Sequence, residues 1–154
     1  MIENHSLSYQ NIVSKYYRFL PENIEEAFID LRDIITKQGC HPAGALFFSV
    51  LSEPTEEIML AEIFMSIEEN HVDFPEEEDV KFRSYFNIKP MLMTRIRDDF
   101  YHEAQVKYGE LHRYIEEHQL TDKTPIFMEL KLDNEGNNYL EMSIGIKANE
   151  TFFQ

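Results

Sequence analysis

Two stretches carry apolar residues at helical spacing. In PENIEEAFIDLRDIITKQG these are Ile24, Ala27, Phe28, Leu31, Ile34 and Ile35, the i, i+3, i+4, i+7 stripe of an amphipathic helix. Pro21 stands near its start, acidic residues fill its first turn, and Gly39 is a natural stop. In HEAQVKYGELHRYIEEHQL the stripe is Ala104, Tyr108, Leu111 and Ile115. The segments between are rich in aromatic and β-branched residues and read as strands: NIVSKYYRFL, AGALFFSVLSE, IMLAEIFMSI, KPMLMTRIR, PIFMELKL and YLEMSIGIK. SEPTEE and DNEGNN supply the turns of two hairpins.

The order strand, helix, strand, strand thus occurs twice, and the match is positional. Adding 80 takes Ile12, Tyr16 and Leu20 to Leu92, Ile96 and Phe100, and Ile24, Phe28, Leu31 and Ile35 to Ala104, Tyr108, Leu111 and Ile115. An offset of 81 takes Met59, Ala61, Ile63 and Met65 to Leu140, Met142, Ile144 and Ile146, so the second hairpin loop is one residue longer. We expect one domain over residues 1–154, built from halves at approximately 7–69 and 80–150 and joined by an acidic linker, 70–79. One such unit could hardly bury its sheet and helix alone, whereas two side by side share a core. The expected fold is α+β: pseudo-symmetric repeats forming antiparallel sheet, with both helices on one face and a groove on the other. Beyond Pro75, the alternation of Val80, Phe82, Ser84, Phe86 and Ile88 reads either as an extra strand or as an extension of the next one.

Side chains alternate across a strand. In PIFMELKL the residues Ile126, Met128, Leu130 and Leu132 form an apolar face for the helices, while Phe127, Glu129 and Lys131 look the other way. Tyr139, Glu141 and Ser143 share that second face, and the repeat adds Phe47, Ser49, Glu62 and Phe64 in the first half. Phe47, Phe64, Phe127 and Tyr139 make the face too apolar for a fully solvated sheet, so something covers it. Glu129 replaces Ser49 of the first half. It is either an exposed residue paired with Lys131 or Arg95, or a carboxylate in an aromatic groove where low solvent access strengthens attraction for a cation.

The 154 residues carry a net charge of -15, which argues against nucleic-acid binding and for cations or basic protein surfaces as partners. A single cysteine, Cys40, excludes an internal disulfide framework and fits a reducing compartment. MIENHSLSYQ has no signal-peptide pattern, and no apolar run approaches the roughly 18 residues of a membrane span, so a cytoplasmic location is expected.

The doubled unit, with a glutamate in the third strand of its second copy, resembles the GyrI-like superfamily. That superfamily includes gyrase-inhibitor proteins and the effector-binding domains of multidrug-responsive regulators. The resemblance covers nearly the whole chain by element order and is most specific around IFMELKLDNEGNNYLEMSIGI. Glu129 matches the family glutamate, Lys131 stands where a tyrosine is usual, and no proline–apolar step follows Ile146. The resemblance implies a groove between the halves that binds amphipathic molecules, often aromatic cations, with the carboxylate as counter-charge; a few relatives are described as hydrolases. The chain more loosely resembles small acidic Gram-positive proteins of unknown function near type VII secretion toxin loci, which would imply an accessory role.

Other chemistry is scarce. His112 and His118 share a helix at a spacing of six, which does not converge on one metal. All six histidines read as surface or turn residues, no cofactor motif is present, and the Glu76–Glu78 run lacks calcium-loop spacing. Cys40 beside His41 is adjacency, not catalytic geometry. The leading expectation is therefore non-catalytic binding of a small amphipathic or cationic molecule in the groove. Glu129 supplies charge, Phe47, Phe64, Phe127 and Tyr139 supply walls, and Glu62 and Tyr17 project into the same space, with no catalytic or metal-binding residue assigned. The alternative is a protein-interaction module for a basic partner; a hydrolase on the same scaffold comes third.

Overall fold

The computed structural model describes residues 1–53 and 55–149. It is an α+β fold of seven strands and two α-helices: β1 (Ile2–Phe19), α1 (Ile24–Lys37), β2 (Pro42–Val50), β3 (Met59–Ile67), β4 (Lys81–Ile96), α2 (Phe100–Glu117), β5 (Leu120–Asp122), β6 (Ile126–Leu132) and β7 (Asn138–Ala148). Single 3₁₀ turns at Pro21–Asn23 and Glu76–Glu78 precede α1 and β4. The chain divides into two compact units, one of residues Leu7–Asn87 and one of Met1–Ser6 together with Ile88 onward.

In the Leu7–Asn87 unit β3 pairs antiparallel with β1 and with β2, Phe19 opposite Met59 and Phe47 opposite Phe64. α1 buries Ala27, Leu31 and Ile35, the centre of its apolar stripe, and packs on β2 and β3. Phe28 meets Phe48 at 6.1 Å, which marks the even-numbered side of β2 as the helix-facing side. In the other unit β7 is paired antiparallel with β4, β5 and β6. α2 buries Leu111 and Ile115 and packs on β5 and β7. The β6–β7 turn is closed by Asp133, whose Oδ1 accepts the backbone N–H groups of Glu135 and Asn137. Gly136 supplies the left-handed residue of that turn at φ +84°.

Three features depart from the sequence pattern, and one reading left open is decided. β1 begins at Ile2 rather than Asn11, because the polar stretch before it shows no apolar alternation and only Leu7 there is buried. β4 is one continuous strand from Lys81, so the alternating stretch resolves as the extension of KPMLMTRIR, with Val80 just outside it. α2 starts at Phe100, a position the repeat aligned with the strand residue Leu20, after Asp99 turns the chain in the left-handed region at φ 47°. Three-residue β5 is too short to show a period, and the helical stretch read from the sequence runs on to its Leu120. Residue 54, in the SEPTEE turn, and residue 150, at the expected end of the second half, lie outside the described residues.

Candidate functional site

The strand faces are not divided as the alternation suggests. Ile126 and Met128 are buried, but Leu130 and Leu132, expected on the same packed face, are 36% and 67% exposed. They lie where the hairpin runs past the end of the core. The opposite face, too apolar for a solvated sheet, is indeed covered: Phe127, Glu129, Glu141 and Ser143 are all buried.

On the face of the Leu7–Asn87 unit away from α1, Phe47 and Phe64 stack at 4.7 Å with their planes 8° apart. Tyr9 stacks on Phe47 at 5.4 Å, and Phe86 tilts against both rings. Phe47 and Phe64 are thus core residues with almost no exposure. Beside them Glu62 is buried and accepts the Ser14 hydroxyl at 2.7 Å. Arg83 donates to Ser14 at 3.0 Å, reaches Glu62 at 3.4 Å and lies over the Phe64 ring at 5.7 Å. Tyr17 does not join this set. It lies on the helix-facing side of β1, where its hydroxyl donates to Asp30 of α1 at 2.6 Å. Burial, and then the Asp30 carboxylate, push its phenol well above the ordinary range.

In the other unit Phe127, Glu129 and Lys131 of β6 stand opposite Ser143, Glu141 and Tyr139 of β7. Lys131 Nζ lies 3.4 Å from Glu129 Oε2, and Arg95 Nε donates to Glu141 Oε2 at 3.0 Å. Arg97 covers the half-buried Tyr139 ring at 4.9 Å. Desolvation pushes the Glu129 carboxyl above its ordinary value, Lys131 opposes this, and Glu141 adds to it. His5 completes the group: its ligand atom and one oxygen each of Glu129 and Glu141 lie within 4.8 Å of one another. Its Nε2 is buried and has no hydrogen-bond partner among the described residues. Burial, ahead of the neighbouring charges, lowers the His5 pKa, which favours the neutral ring.

The expected site residues therefore fall into two sets, Phe47, Phe64 and Glu62 in one unit and Glu129, Phe127 and Tyr139 in the other. Sequence reasoning placed Glu141 on the right face without assigning it a role, and it passed over Arg83 and Arg97. The sequence pattern reads His5 as a surface histidine, because nothing in MIENHSLSYQ signals that its fifth residue reaches a buried cluster.

A second group, His41, Glu68 and Glu69, lies at the surface end of β2 and β3. Glu69 accepts from the His41 backbone N–H at 2.9 Å and contacts His41 Nδ1 at 2.7 Å. Cys40 is buried, and burial together with the Glu69 carboxylate raises its thiol pKa, which disfavours the thiolate a nucleophile needs. Among the described residues no helix is long and apolar enough to cross a membrane.

A family model described as a domain of unknown function, DUF5085, matches residues 8–148. No curated protein matches the chain. Among solved structures, the crystal structure of the EcmrR C-terminal domain superposes with a TM-score of 0.65 at 10% identity, covering 96% of this chain and 99% of that one. EcmrR in the cryo-EM structure of its DNA complex superposes with a TM-score of 0.66 at 9% identity, covering 94% of this chain but 57% of that one. This likeness supports a GyrI-like fold. It lends no weight to the charge argument against nucleic acid, since the second structure is a protein–DNA complex.

Proposed function

The chain belongs to the DUF5085 family, and on that premise we propose that it is a non-catalytic binding domain for a small amphipathic molecule of cationic character, anchored on Glu129. The observation that carries this reading is the buried carboxyl of Glu129, raised by desolvation, on a face that also holds Phe127 and Tyr139. A carboxylate in that setting gains more from an approaching cation than one in water does. The face already engages cations in both ways such a ligand would use: Lys131 by charge and Arg97 by the Tyr139 ring. Lys131 is 36% exposed, so its ammonium can move into solvent while the ligand's cation takes its place beside the buried Glu129 carboxylate. The GyrI-like fold supports the same class of function through the resemblance described above.

The test is thermal unfolding with a panel of hydrophobic cations in the presence of EDTA, on wild type, Glu129→Gln and Lys131→Ala. A ligand at 100 times its dissociation constant stabilises by about 2.7 kcal/mol, several degrees for a domain of this size. We expect a shift in wild type, its loss in Glu129→Gln, and a larger shift in Lys131→Ala. No shift with any cation overturns the reading and turns attention to a basic protein partner.

One observation favours the hydrolase reading. Two carboxylates stand close together and one is raised, the arrangement that divides acid from base. Turnover of ester or amide substrates by wild type and not by Glu129→Gln would establish it.

A further inference from the structure

We infer that His5, Glu129 and Glu141 form a binding site for a divalent first-row transition-metal ion, for which Zn²⁺ is the test case. The three residues lie in one compact unit, and each brings a ligand atom within 4.8 Å of the other two. They come from β1, β6 and β7, so the fold and not local sequence converges them. Glu129 and Glu141 are 3% and 5% exposed, which separates this group from a solvated acidic patch. The independent observation is the His5 Nε2 atom, buried and with no hydrogen-bond partner among the described residues. A buried ring nitrogen in that state lacks the partner that a metal would provide.

The donor set narrows the ion. One imidazole nitrogen with two carboxylate oxygens suits Zn²⁺ and its first-row neighbours, whereas Ca²⁺ and Mg²⁺ take oxygen donors and a copper(I) site takes sulfur. Ligand atoms about 2.1 Å from a tetrahedral ion lie about 3.4 Å apart. The three ligand atoms, all within 4.8 Å of one another, therefore need to close by no more than about 1.4 Å. Lys131 and Arg95 each hold an Oε2 atom of one carboxylate. A carboxylate carries about four lone-pair positions on its two oxygens, so each pair can persist as an outer contact that orients the ligand. The inference goes beyond the binding function proposed above and stands or falls apart from it, since the organic panel is run in EDTA.

The test is calorimetric titration of Zn²⁺ into the metal-stripped full chain at pH 7, with visible absorption of Co²⁺ as a second probe. We expect one ion per chain, and at least tenfold weaker binding in His5→Ala and in Glu141→Gln. Binding should be unchanged in His41→Ala, which disables the surface group with Glu68 and Glu69. Circular dichroism shows whether each variant keeps its fold, and His5→Gln replaces His5→Ala if the latter does not. No saturable uptake by wild type overturns the inference. So does uptake that survives loss of His5, or that disappears with His41.

Discussion

Glu129 and Glu141 stand directly opposite each other across the β6–β7 ladder, and both are almost fully buried. Like charges at facing positions of an antiparallel pair repel, and burial increases the cost. Each is met by its own cation, Lys131 at 3.4 Å and Arg95 at 3.0 Å, and these bring their charge from partly exposed positions. Such an arrangement opposes stability at one place in the sheet, and it is where a ligand or metal ion has most to offer.

Glu129 gives a pH dependence of definite sign. Its folded pKa is raised above the ordinary 4.5, chiefly by desolvation. The native state therefore binds this proton more tightly than the unfolded chain does. The resulting stabilisation is complete below the unfolded value and is lost as pH rises through the folded value. Above its folded value the ionised group works against the fold. We expect Glu129→Gln to melt at or above the wild-type temperature at pH 7, with the difference shrinking as pH falls below about 4.5. Melting curves at both pH values check this; a variant clearly less stable at pH 7 would mean that the Lys131 pair outweighs burial.

Much of the fold was legible because periodicity reports burial. Leu31, Ile35 and Leu111, picked from helical spacing, are completely buried. What periodicity could not give was register and distant convergence. Alternation put Glu129 and Glu141 on one face, but only the geometry of the Asp133–Asn137 turn makes them directly opposite. Tyr17 is the reverse case. Counting by twos along β1 separates it from Ser14, so it shares a face with Lys15, and both reach Asp30 on α1. Treating the aromatics as groove walls failed to anticipate that Phe47 and Phe64 would be covered by Tyr9 and Phe86.

Phe47 should be a stability residue. It is fully buried and in ring contact with Tyr9, Phe64 and Phe86. Phe47→Ala removes that stack and leaves a cavity, at a cost of about 3–5 kcal/mol. For a chain of this length each kcal/mol lowers the melting temperature by about 2–4 °C. A loss of under about 1 kcal/mol in urea unfolding would show that the surrounding rings close the space.

The His41–Glu69 pair predicts a second pH window. Its hydrogen bond raises the His41 pKa above 6.5 and holds Glu69 down to about 2. The Glu69 contribution is present above the ordinary 4.5 and is lost as pH falls towards 2. The His41 contribution is present below 6.5 and is lost as pH rises through its raised value. The pair thus contributes most between about 4.5 and 6.5. His41→Ala should lower the melting temperature slightly in that window and less at pH 9; an effect that persists unchanged at pH 9 would point to lost packing instead.

Gly145 is fixed by crowding, not by backbone conformation. A Cβ at this position of β7 would lie 2.8 Å from Thr124 Cγ2 and 3.2 Å from Ile88 Cγ2. Thr124 cannot simply turn away, because its Oγ1 accepts the Gly145 N–H at 2.9 Å and donates to the Pro125 carbonyl at 2.8 Å. Thr124 is also β-branched, which restricts its rotamers further. Gly145→Ala should therefore cost about 1–3 kcal/mol by overpacking. In the double variant Gly145→Ala, Thr124→Ser the missing methyl makes room while the hydroxyl remains, and most of the loss should be recovered. If the single variant is as stable as wild type in urea, the strand shifts freely at Gly145 and the contact sets no limit. If the double variant recovers nothing, Ile88 and not Thr124 is the residue that requires glycine.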